Sequence, residues 1–376
     1  MSHVVIVGGG TGGTVLANRL VDALADPDAH RITVINDGPE QTYKPAFLYV
    51  AFDELTVADA RRPIRELLDR RVEFVEARVT DVATDAHALT LADGTRLDYD
   101  ELVLATGTGV DLSTVEGLAE GGHQFYDPDG ARALREALAA FDGGDVVVSV
   151  IGTPHMCPAA PVEVTLMVED WLDERGLREE SSVTYTYPIN RTHGMETLAA
   201  WTDEQFDERD IDAETFFNAE RVDPEAQVIE SMEGTALEYD LLITIPPHTG
   251  SALVRESGLG ENGWIDVDRH TLEVTGVEDV HAIGDVADVP TSKAGSVAHY
   301  EAGVVAKRLR ARLDGRTPSA RYHGKTVCFV ESGLDEATFV EFSYGSEPEV
   351  GPPSQATHWT KHAYNSAYWL TAQGMI

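Results

Sequence analysis

The apolar run HVVIV (3–7) passes through Gly8-x-Gly10-x-x-Gly13 into the amphipathic stretch TGGTVLANRLVDALA (11–25). A strand, a glycine turn and a helix in this order leave few folds open. Gly8 permits the tight turn, Gly10 lets backbone approach a pyrophosphate, and Gly13 allows close helix–strand contact. Gly12 lies in the same loop, and the helix N-terminus faces the anion. RITVIND adds a second strand, so the segment reads as a βαβ unit of dinucleotide-binding type. The acidic residue such a unit places at the end of its second strand is here Asn36, followed by Asp37. An amide still hydrogen-bonds a ribose hydroxyl, less strongly than a carboxylate does.

A second unit begins near Asp145. VVVSVIGTPHMCPAAPVEVTLMVEDWL reads as strand, turn and helix, with Gly152, Pro154 and Cys157 where the three glycines would stand. Pro154 has no N–H for a phosphate, and Cys157 puts a side chain where glycine would give close packing. The unit has lost a nucleotide loop and gained a thiol. The other cysteine is Cys328, in GKTVCFVESG. Two thiols in distant segments, beside an intact flavin-type loop, point to a redox pair. Two inert, buried cysteines are the plainer alternative.

The order of elements predicts an α/β fold with two Rossmann-like, doubly wound domains, the second inserted in the first, plus a small C-terminal region. The boundaries fall at 1–110 (first part of the cofactor domain), 111–255 (second domain), 256–320 (return to the first) and 321–376. RRPIRELLDRR reads as a short helix, VEFVEA as a strand, and the stretch around Asp93-Gly94 as a hairpin. GARALREALAAFDGG and KAGSVAHYEAGVVAKRLRARL read as helices.

Composition narrows the partners. Acidic residues number 65 against 28 basic, a net charge of −37. A solvated acidic shell of the kind halophilic proteins use fits this balance. Nucleic acid is excluded as a partner, since phosphates would repel the chain. Two cysteines exclude a disulfide-stapled scaffold. No signal peptide is expected, and no run of about 18 apolar residues occurs in the sequence. The expected location is cytoplasmic, or peripheral on the cytoplasmic membrane.

Leu104-Ala105-Thr106-Gly107 ends a hydrophobic strand, and Gly284-Asp285 in HAIGDVAD lies between a strand and a helix. In flavoproteins with two dinucleotide-binding domains the first passes close to the flavin nucleotide and the second holds the ribityl chain. The glycine loop, ATG and GD in this order predict FAD. No metal is expected.

These motifs, Cys157 in G-x-P-x-x-C-x-x-A-P-x-E and Cys328 in VCFVESG make the chain resemble the sulfide:quinone oxidoreductases, within the FAD-dependent disulfide-reductase superfamily. Flavocytochrome sulfide dehydrogenases are close relatives of that family. The resemblance runs to HWTKHAYNSAYW, nearly the whole chain. It implies sulfide and quinone as substrates and a Cys157–Cys328 bridge that hydrosulfide opens. The released thiolate, its pKa lowered by the site, then passes two electrons to the flavin. Glu163 is implied as proton acceptor; a solvated helix residue fits it as well. His193 is implied on the sulfide side, with a structural histidine as the alternative. Lys293, one of five lysines, is implied near the flavin pyrimidine edge. Tyr43-Lys44-Pro45-Ala46-Phe47 is implied beside the isoalloxazine.

The resemblance also implies a quinone pocket and membrane contact in the C-terminal region, with Phe329, Phe342, Tyr344 and Trp359 as lining; core packing fits those aromatics too. Two departures stand out. Tyr126 occupies the area where some members carry a third cysteine, and the long amphipathic tail of many members is not found here. Three other functions fit parts of the pattern: an NAD(P)H-dependent quinone reductase, a sulfide dehydrogenase subunit with a cytochrome acceptor, and a flavin-bearing redox sensor. A homo-oligomer is left open.

Overall fold

The computed structural model describes residues 2–375. Its first sheet has five parallel strands in the order Val280–Ala282, Glu101–Leu104, His3–Val7, Arg31–Asn36, Val72–Glu76. Its second has four parallel strands in the order Asp212–Thr215, Ser181–Tyr187, Gly144–Val150, Leu241–Ile245. Strand 280–282 closes onto the first sheet after the chain has built the second. The central strands are apolar without alternation because both faces are covered, one by helices and the other by an antiparallel flap. The mixed α/β, Rossmann-type fold expected from the sequence is the fold observed.

Each parallel sheet carries a three-stranded antiparallel flap, 79–98 on one and 219–238 on the other. Asp93-Gly94 makes the expected turn in the first; Gly94 has φ +85°. RRPIRELLDRR is not one helix. Arg61–Pro63 pairs with Glu40–Thr42 as a strand, and only Ile64–Leu67 is helical. Pro63 disfavours helical backbone at Arg62, so the helix starts only after the proline.

The helix Ala160–Glu174 starts with Pro161 and Glu163 in its first turn, the residues a helix N-terminus favours. The helix Gln355–Ala372 is capped by Ser354, whose side chain accepts from the Thr357 N–H. Its buried residues His358, Lys361, Tyr368 and Ala372 follow a helical stripe. That stripe closes on the N-terminal unit. Thr11 Oγ1 lies 2.7 Å from Tyr368 Oη, Asn18 Nδ2 donates to Ala372 O at 2.7 Å, and the Tyr43 and Tyr368 rings stack at 3.9 Å. The hairpin Thr326–Glu331 and Ala337–Phe342 carries Cys328 onto the helix 160–174. Among the described residues no helix is long and apolar enough to cross a membrane.

Candidate active site

Gly8, with φ +109°, takes a conformation open to glycine, and a Cβ there would meet Ala105 O at 2.2 Å. A Cβ on Gly13 would meet Gly8 O at 1.9 Å. These two contacts show why the loop needs glycine. At Gly10 nothing lies within 4 Å, so that position is open toward the space it faces. This space is a cavity of about 610 Å³, in the range of ligand sites. Gly8, Gly10 and Gly12 line it, and so do Cys157 and Cys328. A smaller pocket of about 300 Å³ adjoins it, sharing Gly8, Asn36 and Thr106.

The walls fit a flavin dinucleotide. Pro45, Ala105, Thr106, Gly107, Gly284, Asp285, Lys44 and Lys293 all line the main cavity. Thr106 Oγ1, on the cavity wall, is buried without a partner, a hydroxyl left for a bound group. Lys44 Nζ donates to Thr108 O at 3.1 Å, and Lys293 Nζ donates to Ala287 O at 2.7 Å. Burial pulls both ammonium groups down from their ordinary range, and Asp285 partly restores each.

Asn36 does a different job from the one expected. Its Oδ1 accepts from Gly9 N at 2.8 Å and its Nδ2 donates to Gly38 O at 2.9 Å. The amide thus fixes the glycine loop instead of standing free for a ribose. Asp37 pairs with Arg78 at 3.2 Å on the rim of the smaller pocket.

The cysteines are free thiols facing the same cavity. Cys157 has φ +49°, a conformation that suits a glycine-like loop position. Its N–H donates to Lys293 O at 2.9 Å, which ties the second unit's turn to the first unit's lysine segment. The lowered thiol pKa expected from the sequence is not found. Burial, then the Glu163 carboxylate and Cys328, push the Cys157 thiol well up; burial and Glu163 push Cys328 up to about 12. A carboxylate beside a thiol opposes thiolate formation, and the nearby Lys361 only partly offsets it.

Glu163 is buried with Oε2 3.9 Å from Cys157 Sγ. It is not a solvated helix residue. Its Oε1 accepts from Glu331 N at 2.9 Å and from the Lys361 ammonium. Lys361 Nζ also lies 3.4 Å from Glu331 Oε1, which accepts from Tyr49 Oη at 2.5 Å. Glu331 Oε2 lies 3.0 Å from His358 Nδ1. Burial alone would lower the Lys361 ammonium, but Glu163, Tyr49 and Glu331 hold it well above its ordinary range. Glu331, His358 and His362 bring ligand-type atoms within 4.8 Å of one another. Tyr49 and Lys361 already occupy one carboxylate oxygen there and His358 the other, which makes this an ion-pair network and not a cation cage.

Several expected residues stand elsewhere. His193 does not line the cavity. It is buried, its Nε2 lies 3.2 Å from Pro158 O, its Nδ1 accepts from Met195 N at 3.0 Å, and burial pulls its pKa to about 4. It braces the turn after Cys157. Phe342 is core, packed with Val330, Val340 and Leu198. Tyr344 packs against His270 and Tyr322 under Arg269. Trp359 is 68 % exposed. Of the four expected quinone aromatics only Phe329 reaches the cavity, joined there by Tyr364 and Tyr368. Tyr126 lines it beside Cys157, where no third thiol stands.

Comparison with known proteins matches residues 2–304 to the family described as "Pyridine nucleotide-disulphide oxidoreductase". The mitochondrial sulfide:quinone oxidoreductase of Mus musculus is 24% identical, covering 92% of this chain and 79% of that protein. The sulfide-quinone reductase of Aquifex aeolicus is 25% identical, covering 100% and 92%. The X-ray structure of the Aquifex aeolicus sulfide:quinone oxidoreductase superposes with a TM-score of 0.87 at 22% identity, over 100% of this chain and 92% of that one, and so shares its fold.

Proposed function

The chain belongs to the pyridine nucleotide-disulphide oxidoreductase family, and from that premise we propose that it oxidises hydrosulfide at Cys157 and Cys328 and passes the electrons through FAD to a quinone. It is a flavoprotein oxidoreductase. The observation that carries the finer reading is that both cysteines line the same cavity as the glycine loop. The names of the mouse and Aquifex relatives suggest the substrate pair.

In the oxidised protein a bridge between the two sulfurs offers hydrosulfide an electrophile. Attack breaks one S–S bond and makes another, leaving a persulfide on one cysteine and a thiolate on the other. FAD, when bound, supplies a two-electron acceptor that a quinone can reoxidise. The glycine loop and helix N-terminus would hold its pyrophosphate, and Lys44 and Lys293 would offset negative charge along the cavity. Glu163 takes the S–H proton, and Lys361 balances its charge. Phe329, Tyr364 and Tyr368 offer aromatic faces to a quinone ring. Trp359, Leu370 and Met375, all exposed, offer apolar contact to a membrane surface.

A nucleotide-driven reductase is the rival, and Pro154 and Cys157 stand against it. Anaerobic titration of the salt-stabilised protein separates the two. Sulfide is expected to bleach the flavin and NADH not to, with Cys157→Ser and Cys328→Ser each abolishing the bleaching. Bleaching by NADH and not by sulfide overturns the reading.

A further inference from the structure

We propose that Glu331, His358 and His362 form a proton port between Glu163 and the protein surface, and that the proton of hydrosulfide leaves by it; this inference rests on the sulfide-oxidising reading above. On becoming zero-valent sulfur, HS⁻ gives up one proton and two electrons. The electrons take the FAD and quinone route, and a quinone reduced to its quinol draws two protons of its own from solvent. The hydrosulfide proton needs another route, because Glu163 is itself buried and its cavity side faces the cofactor.

The structure offers a continuous line of titratable groups. Cys157 Sγ is 3.9 Å from Glu163 Oε2, and Glu163 Oε1 accepts from Lys361. Lys361 Nζ is 3.4 Å from Glu331 Oε1, and Glu331 Oε2 is 3.0 Å from His358 Nδ1. The His358 and His362 rings are 4.3 Å apart. His362 Nε2 points inward, 4.0 Å from Glu331 Oε1, with no hydrogen-bond partner, while its side chain is 30% exposed. One end of the line is the thiol and the other is solvent.

Charge favours transit along it. Two buried carboxylates, Glu163 and Glu331, face one ammonium, Lys361, so the cluster carries one negative charge in excess and attracts a moving proton. Tyr49, in the helix Ala46–Ala51, and Glu54, exposed in the turn after it, add no positive charge. Lys361 hands a proton to Glu331 as it takes one from Glu163, and so keeps its charge. Glu331 passes the proton to the histidine pair, and His362 releases it. No bond other than those to hydrogen changes along the line.

Stopped-flow flavin bleaching by sulfide tests the port, in H₂O and D₂O, with and without added imidazole. His362→Gln and His362→Ala remove the outer group; His358→Gln keeps an amide at the inner one. General acid–base groups contribute about 10²–10⁴-fold, and a surface group that water partly replaces falls lower, at about tenfold. The variants are expected to bleach about tenfold more slowly, with a larger solvent isotope effect, and His362→Ala to regain rate with rising imidazole. A structural role would give no imidazole rescue. If wild type bleaches and the variants match it, or slow without rescue, the port is wrong and the sulfide reading stands. If wild type does not bleach, the sulfide reading fails and the port fails with it.

Discussion

Replacing Lys361 by methionine isolates the charge at the centre of the site. The Lys361 side chain is 10% exposed, Glu163 5% and Glu331 0%, so solvent screening relieves little. The methionine fills a similar volume but leaves two carboxylates buried with no cation between them. Removing one partner of a buried pair costs about 3–5 kcal/mol. Glu163→Gln removes a carboxylate instead and leaves Lys361 paired with Glu331; its cost is that of weakened hydrogen bonds, about 1–3 kcal/mol. In the double variant Glu331 is the single carboxylate left, so the losses do not add, and a coupling of about 0.5–3 kcal/mol is expected. For a unit of about 150–250 residues each kcal/mol moves Tm by roughly 2–4 °C, so Lys361→Met should lower Tm by about 6–20 °C. The assay is thermal unfolding of the flavin-loaded proteins at one salt and one FAD concentration, since bound cofactor shifts Tm. A loss below about 1 kcal/mol for Lys361→Met, with additive single variants, would refute the buried-network reasoning.

Glu301 is buried and accepts from Gly284 N at 2.6 Å; burial raises its pKa from 4.5 to about 8. A raised folded-state pKa stabilises below pH 4.5 and loses that contribution as pH climbs through 8, so stability should fall by a few kcal/mol across this window. Glu301→Gln should flatten that slope in pH-dependent unfolding. Gly13→Ala should yield protein with little bound FAD, read as the ratio of flavin to protein absorbance, because its Cβ meets Gly8 O at 1.9 Å. With both thiol pKa values raised, reduced Cys157 and Cys328 should alkylate more slowly than free cysteine at pH 8; mass spectrometry showing faster labelling would contradict it. A net charge of −37 predicts a Tm that climbs with KCl as screening shortens the repulsion.

The cofactor end of the site was legible because each glycine answers a local backbone demand that sequence spacing encodes. Gly8, Gly10, the ATG stretch and Gly284-Asp285 all come to one cavity, and the replacement of glycine by Cys157 marked the thiol. The network behind the thiol was not legible. Glu331 is one of 65 acidic residues, and nothing local separates a carboxylate paired across the fold from one in water. Lys361 gave a usable signal: it is one of five lysines, and with His358, Asn365 and Tyr368 it keeps a three-and-four spacing that marks a helix face turned inward. The aromatics failed for a related reason. Phe342 and Tyr344 face the core or a satellite cluster, and strand alternation alone cannot say which face meets a cavity. His193 and Asn36 are polar groups recruited by backbone; a bond to a main-chain amide leaves no trace in spacing.

The helix Gln355–Ala372 supplies Lys361, Tyr364 and Tyr368 to a cavity that residues 8–12 also line. On the ribosome those two walls are made far apart in time, since synthesis runs from the N-terminus at about 5–20 residues per second. The glycine loop can fold early, but it waits with one side open. Cofactor capture is therefore complete only after residues 355–372 have been made, and a nascent chain paused before residue 355 should hold FAD loosely however well its first unit has folded.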